Sequence, residues 1–264
     1  MERVERRRAM AGYVKSSFDE NTEFFGMYLK SLSARYDDFL EDHMLDSEIY
    51  SIHINGLHSG YFGIYGNEML TQFVMPASEM HHAQAVFADV LADFDIKNAF
   101  VPTCDELFLS LCLDNHKKVK MQAYFFEDSG RPVRPAEFPR EWLYRATLED
   151  LPDIVSVTGD FVDRHEERIG RGELYVLREN GEFLGMRITT NNRIMENCMG
   201  TGMFVHEKHR RKGVGRSIIL HLKDICYAAG KDPLPGCWYY NYNSKRTLES
   251  AGYITKTRLL CVEF

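Results

Sequence analysis

The sequence predicts an α/β chain with mixed sheets, laid out as two like halves. Three observations carry that expectation. Strand-like apolar runs alternate with helical periodicities along the whole 264 residues. One proline-rich stretch interrupts the chain near its middle. The order of elements before that stretch is echoed, more faintly, after it. The length also suits two domains, at ~100–200 residues per domain.

In the first half, helical segments occupy about Asn21 to His43. EIYSIHING, GYFGIYG and MLTQFVM follow as strands, then a helix over about Ala77 to Asp93. NAFVP, a helix over Glu106 to Asn115 and the strand KVKMQAYFFED complete the half. From Asp128 to Arg140 the chain reads DSGRPVRPAEFPR, with Pro132, Pro135 and Pro139. Proline removes backbone donors and biases its predecessor toward extended structure, so neither a helix nor a central strand fits there. The expected organisation is therefore a domain over 1–130, a linker over 131–141 and a domain over 142–264.

The second half reads more sharply. Thr147 is a natural N-cap, with Asp150 placed as in a capping box. Leu151 to Ile169 is helical in pattern, as two short helices. LYVLREN and EFLGMRITT flank Asn180-Gly181, a strong hairpin signal. A strand follows over Met199 to Val205, and then a long helix from about Gly213 to Ala229, stopped by Gly230. The strand CWYY, a short helix over about Ser244 to Ser250 and the strand YITKTRLLCVEF end the chain.

Composition sets limits on function. With 44% hydrophobic and 27% charged residues the chain is ordinary for a soluble globular protein. A net charge of −7 argues against a nucleic-acid binder. The six cysteines lack the close spacing of a zinc or redox motif, which suits reduced thiols in the cytoplasm. The opening MERVERRRAM leads into no apolar core and is no secretory signal, and no apolar run approaches a bilayer span. His206 and His209 stand three apart in a turn with no third ligand, and the adjacent His81 and His82 point apart, so no metal site is expected.

The chemistry-bearing segment is MFVHEKHRRKGVGRSIILHL, where a strand ending at Val205 passes through a basic, glycine-containing turn into a long helix. The first N–H groups of a helix have no internal partners, and the helix dipole favours an anion there. Gly213 and Gly215 let a phosphate approach the backbone, while Arg210, Arg211, Lys212 and Arg216 add charge. A pyrophosphate is the natural ligand. Gly215-Arg216-Ser217 fails the Walker pattern, and Ile218 stands where the dinucleotide fingerprint needs a third glycine.

Arg210-x-x-Gly213-x-Gly215 after a strand resembles the acyl-CoA signature Q/R-x-x-G-x-G/A of the GNAT N-acetyltransferase superfamily. Asn241-Tyr242-Asn243-Ser244, followed by Gly252-Tyr253, is similar to a second element of that family. The resemblance covers Tyr144 to Phe264. It implies the acyl-CoA N-acyltransferase fold and, with the echoed order of elements, a tandem of two GNAT-like domains, the first degenerate. It further implies acetyl-CoA as cofactor. The pantetheine arm would lie along the backbone of Phe204 and Val205, in an opening of the sheet. Amides from Arg211 through Val214 to Arg216 would hold the pyrophosphate, with Asn241 and Ser244 on the other side. A backbone N–H near Met203 to Val205 would polarise the acetyl carbonyl.

The implied reaction is acetyl transfer to a primary amine of a small acceptor, which needs the amine deprotonated. Glu196, just before the central strand, is the candidate base. The family's usual tyrosine acid falls on Leu248, a departure that leaves Tyr240 and Tyr242 as alternatives. That departure keeps open a second reading, an acyl-CoA-binding protein impaired in catalysis. A tandem transferase using aminoacyl-tRNA is disfavoured by the acidic charge and the intact turn. The first half has no counterpart of the glycine turn: MLTQFVM runs into PASEMHHAQAV. Its expected roles are to wall the substrate cleft, with aromatics such as Phe24, Tyr28 and Tyr61, or to form a homodimer.

Overall fold

A computed structural model describes residues 11–159 and 162–264. The charged opening and the middle of the helical stretch expected over Leu151 to Ile169 lie outside the described residues. The chain forms two compact units, one of residues up to Ala123 together with Thr257–Phe264, the other of Tyr124–Lys256.

The first unit starts with β1 (Ala11–Ser16), α1 (Thr22–Ser31) and α2 (Asp38–Leu45). β2 (Glu48–Ile54), β3 (Leu57–Tyr65) and β4 (Met69–Val74) form an antiparallel meander, to whose outer edge β1 adds. α3 (Ala83–Asp93) then crosses to β5 (Asn98–Pro102), followed by α4 (Glu106–Asn115) and β6 (Lys118–Asp128). β4 and β5 are parallel and pair only at Met69↔Asn98 and Leu70↔Ala99. β1 has no counterpart in the sequence expectation; it is short, and its burial alternates without one fully buried residue.

The second unit contains β7 (Leu143–Arg145), α5 (Leu151–Thr158), α6 (His165–Gly170), β8 (Leu174–Glu179) and β9 (Glu182–Asn191). β10 (Cys198–Val205), α7 (Val214–Ala228), β11 (Asp232–Trp238) and α8 (Tyr242–Ser250) follow, and β12 (Tyr253–Glu263) begins in this unit and ends in the first. β7 through β10 are antiparallel neighbours, and β11 lies parallel to β10. The mixed α/β architecture is the expected one. Thr147 and Asp150 form the capping box, and Asn180 (φ 49°) with Gly181 (φ 86°) makes the hairpin turn.

Two expectations shift. The strand placed at CWYY instead runs Asp232–Trp238 through Pro233 and Pro235. Proline tolerates a strand where no ladder donor is needed. The final strand was assigned wholly to the second half, yet from Leu259 to Glu263 it pairs antiparallel with β5. Leu260 and Val262 there complete the core formed by Phe62, Phe73, Phe87 and Phe108. An alternating apolar run states that a strand has a buried face but not which sheet receives it.

Asp105 caps α4: its side chain accepts from the Phe108 N–H at 3.0 Å, and the residue is 6% exposed. Burial raises its carboxyl from 3.8 to about 7, against the pull of that hydrogen bond. A native carboxyl raised above its unfolded value binds the proton that the unfolded chain has lost, so stability drops as pH rises from about 4 to about 7. The loss is at most about 4 kcal/mol, at about 1.4 kcal/mol per pKa unit. Asp105→Asn keeps a good cap and removes the titration. Urea denaturation across pH 4–8 is expected to show a higher midpoint for the variant at pH 8 and no gain at pH 4.

Candidate functional site

The site grows from the end of β10. Pairing with β9 continues to Val205↔Gly185, whereas pairing with β11 stops at Thr201↔Pro235. The sheet therefore opens beside the last residues of β10. Beyond Val205 the chain turns tightly, with Arg211 at φ 63° and Gly213 at φ 87°, before α7 begins. Both residues sit in the left-handed region, where only glycine is unstrained.

A cleft of about 1370 Å³ lies along this opening. Typical small-ligand pockets hold ~300–1,000 Å³, so there is room for an extended ligand. Met203, Phe204 and Val205 form one wall; Arg210, Arg211, Lys212, Gly213, Gly215 and Arg216 form its end. Asn241 and Ser244 face it from α8, joined by Asn243, Arg246 and Thr247. Val214 is buried, 1% exposed, in the core under α7, and its side chain is no part of the lining. With that exception the side chains predicted for the cofactor come together at one cleft.

Their individual roles differ from the sequence reading. Arg216 is 7% exposed and is spent on the chain itself. Its guanidinium donates to the carbonyls of Ser250 (3.2 Å) and Pro135 (2.8 Å), to that of Arg134, and to Glu137 Oε2 (3.1 Å). Gly215 is needed for packing: a Cβ there would lie 2.9 Å from Met203 Sδ and 3.1 Å from Val205 Cγ2. A side chain at Gly215 would have to displace Met203 and would crowd Val205. Arg211 and Lys212, by contrast, are exposed and form no ion pair among the described residues. Asn241 caps α8, its Oδ1 accepting from the Ser244 N–H at 3.1 Å, which leaves its amide nitrogen for other partners. Arg210 donates to the Val205 carbonyl at 3.3 Å and pairs with Glu207.

The linker supplies residues the sequence reading missed. Arg131, Pro132, Val133, Arg134 and Glu137 all line the cleft. Glu137 lies against the turn: a Cβ on Gly213 would meet its Cδ at 2.7 Å. The Ser217 hydroxyl accepts from the N–H groups of Glu137 (2.9 Å) and Phe138 (3.1 Å). Burial works to raise the Glu137 carboxyl, but hydrogen bonding and the Arg216 and Arg134 guanidiniums hold it below the usual range. The available signal was a pair of arginines and a glutamate among prolines, a stretch that must run extended along some surface.

Glu196 is not brought to the cleft. It is exposed and precedes β10 at the end where β10 and β11 still pair, and Lys231 donates to its carbonyl. The cleft wall lies at the other end of the strand, about 20 Å away at ~3.3 Å per residue. A residue flanking the closed end of a splayed pair cannot reach the open end. Leu248 is 4% exposed and packs with Phe126, Ile219 and Tyr253, so its position faces the core. Tyr240 and Tyr242 are half exposed, at 50% and 55%. The His206 and His209 rings stand 5.7 Å apart; the first accepts from the Lys208 N–H and the second meets Glu182.

Two family models match the chain, both described as Acetyltransferase (GNAT) domain, over residues 17–129 and 170–254. The first match makes the N-terminal half a GNAT domain in its own right, beyond the degenerate likeness expected. Among solved structures, an acetyltransferase of the GNAT family from Colwellia psychrerythraea superposes with a TM-score of 0.82 at 17% identity, over 96% of this chain and 99% of that one. A GCN5-related N-acetyltransferase from Sphaerobacter thermophilus gives 0.66 at 11% identity, over 96% and 95%. A tandem GNAT protein from the clavulanic acid biosynthesis pathway gives 0.56 at 12%, over 96% and 97%. These likenesses establish a shared fold. No curated protein sequence matches significantly.

Ser217 is fully buried, and its hydroxyl is the acceptor for both linker amides. Ser217→Ala is expected to cost about 1–3 kcal/mol, the penalty for stranding buried polar groups. Urea unfolding of the purified variant measures it.

Proposed function

The chain belongs to the GNAT acetyltransferase family in both halves, and from that premise we propose that its second unit transfers an acetyl group from acetyl-CoA to a primary amine of a small acceptor. The observation that carries the proposal is the meeting of a splayed sheet, a glycine turn with two cations that form no ion pair among the described residues, and a helix N-terminus at one cleft.

The fit to the cofactor follows from the donors. Backbone N–H groups at the start of α7 have no intrahelical acceptors and point out of the helix end, where the dipole favours an anion. Lys212 and Arg211 add charge for a pyrophosphate. The β10 backbone beyond Thr201 offers strand-edge hydrogen bonds to an extended amide-bearing arm. The Asn241 amide faces it from across the opening. Acetyl-CoA supplies an activated thioester. What the chain supplies is alignment, and a backbone N–H near Met203 to Val205 aimed at developing negative charge.

Glu137 is the only carboxylate among the described residues lining the cleft, and it sits at the turn end, held by Arg216. With Glu196 distant and Leu248 in the core, acceptor deprotonation falls to water or to the acceptor's own ionisation, with Tyr240 or Tyr242 as the hydroxyls nearest Asn241 in sequence. This same observation favours the second reading, a unit that binds acyl-CoA without efficient transfer.

Calorimetric titration with acetyl-CoA, together with free-thiol release over a panel of primary amines, tests both readings. Saturable binding with thiol release supports transfer; binding without release on any amine supports the second reading; no binding sinks both. Lys212→Glu is expected to weaken acetyl-CoA binding at least tenfold while leaving the circular dichroism spectrum and melting midpoint unchanged. Glu137→Gln removes a negative charge from the turn, and the same titration is expected to show several-fold tighter binding.

A further inference from the structure

The opening beside the end of β10 has two faces, and the helices tell them apart. Cys237 and Tyr239 pack with Met203 against the cluster that holds Ile219 of α7 and Leu248 of α8. Phe204 packs on the opposite side, against the cluster that holds Ile154 of α5 and Ile169 of α6. Successive side chains of a strand alternate between faces. β10 and β11 run parallel with Thr201 opposite Pro235. Three residues further along each strand, Phe204 and Trp238 therefore project to the same face, away from α7 and α8.

That face is aromatic. Trp238 is 58% exposed and Tyr240 half exposed, and their rings meet edge to face with centroids 5.0 Å apart. Tyr240 leads directly into Asn241, which lines the cleft, and Phe204 lines it from β10. Two large rings left half in water beside a ligand opening lack the burial that such side chains ordinarily find. A third ring set against them supplies it, at the edge-to-face or offset spacing that aromatic pairs prefer. Charge argues in the same direction. Among the described residues lining the cleft, seven arginine or lysine side chains stand against one carboxylate, that of Glu137. A polycationic acceptor approaching the opening meets a surplus of its own charge.

We propose that Trp238 and Tyr240, with Phe204 at the rim of the opening, form a shelf for the acceptor, and that the acceptor is an arylalkylamine: one amine on a short chain ending in an aromatic ring. The proposal rests on the acetyl-CoA reading given above. With the pyrophosphate at the turn before α7 and the extended arm in the opening, the donor takes the side of α7 and α8. The acceptor is left the face that carries Phe204 and Trp238. Held by its ring, it brings its nitrogen to the opening; the shelf orients the acceptor and adds no chemical step.

The test compares 2-phenylethylamine, n-butylamine and spermidine on the full chain. Free-thiol release with acetyl-CoA gives the kinetics, and calorimetric titration of each amine, with and without coenzyme A, gives binding. 2-Phenylethylamine is expected to show kcat/KM at least tenfold above either of the others. Trp238→Ala is expected to raise its KM at least tenfold and Tyr240→Leu several-fold, without weakening acetyl-CoA binding. Tyr240→Phe, which keeps the ring, is expected to leave KM unchanged. Equal kcat/KM for 2-phenylethylamine and n-butylamine overturns the proposal, as does a preference for spermidine, or an aryl preference that survives Trp238→Ala and Tyr240→Leu together. Failure of the underlying reading looks different: acetyl-CoA does not bind, or no amine releases thiol. Calorimetry then decides. Saturable binding of 2-phenylethylamine that n-butylamine lacks and Trp238→Ala abolishes supports the shelf, and its absence overturns it.

Discussion

The cleft of the second unit depends on how the first turn of α7 is tied to the linker. Ser217 and Arg216 are both buried there, and neither has an alternative partner in the helix. The serine hydroxyl accepts two linker amides, and the arginine spreads its donors over three carbonyls and one carboxylate. A guanidinium carries five donors and accepts none, so a buried one persists only where a set of oxygens is presented to it. The linker provides most of that set, through the carbonyls of Arg134 and Pro135 and the Glu137 carboxylate, and Ser250 of α8 completes it. The linker thus becomes a wall of the cleft, and Glu137 arrives at the turn as part of the same knot.

A second constraint concerns approach distance. α7 lies close over the sheet, and the glycines mark where. A Cβ on Gly185 would come within 2.6 Å of the Phe204 carbonyl oxygen and 3.1 Å of Ile218 Cδ1, and Gly215 meets Met203 and Val205 from the other side. The helix start is thereby held beside the end of β10, where β11 has already diverged. The first amides of α7 and the open strand edge come to share one cleft because the packing leaves little room for side chains between them.

The two units differ in their buried charge. The first buries Asp37, Glu41 and Asp105; the second buries Arg187 and Arg216 together with Asp150. Arg187 is fully buried with its guanidinium carbon 3.3 Å from the centre of the Tyr175 ring, and burial lowers it to about 10. Buried charge is costly and survives where ring faces, hydrogen bonds or a ligand compensate it.

Much of this was legible from the sequence. The Asn180-Gly181 turn, the Thr147–Asp150 box, the long helix stopped at Gly230 and the basic glycine turn are local features. Each is fixed by backbone sterics or by hydrogen bonds a few residues apart. They lie at or beside the cleft at the end of β10 or elsewhere in the second unit. What stayed hidden depends on residues distant along the chain. Whether Arg216 faces a ligand or the linker, whether Gly215 makes room for a phosphate or for Met203, and which sheet receives Leu260 and Val262 are settled by packing partners that no local pattern names. Glu196 failed as a cleft residue for the same reason: its position depends on which end of β10 opens. The sequence by itself determined where an anion could be held, because bare glycine backbone at a helix start has that property in any fold. Only the tertiary structure decided what surrounds it, because a side chain's role is set by the groups that share its burial.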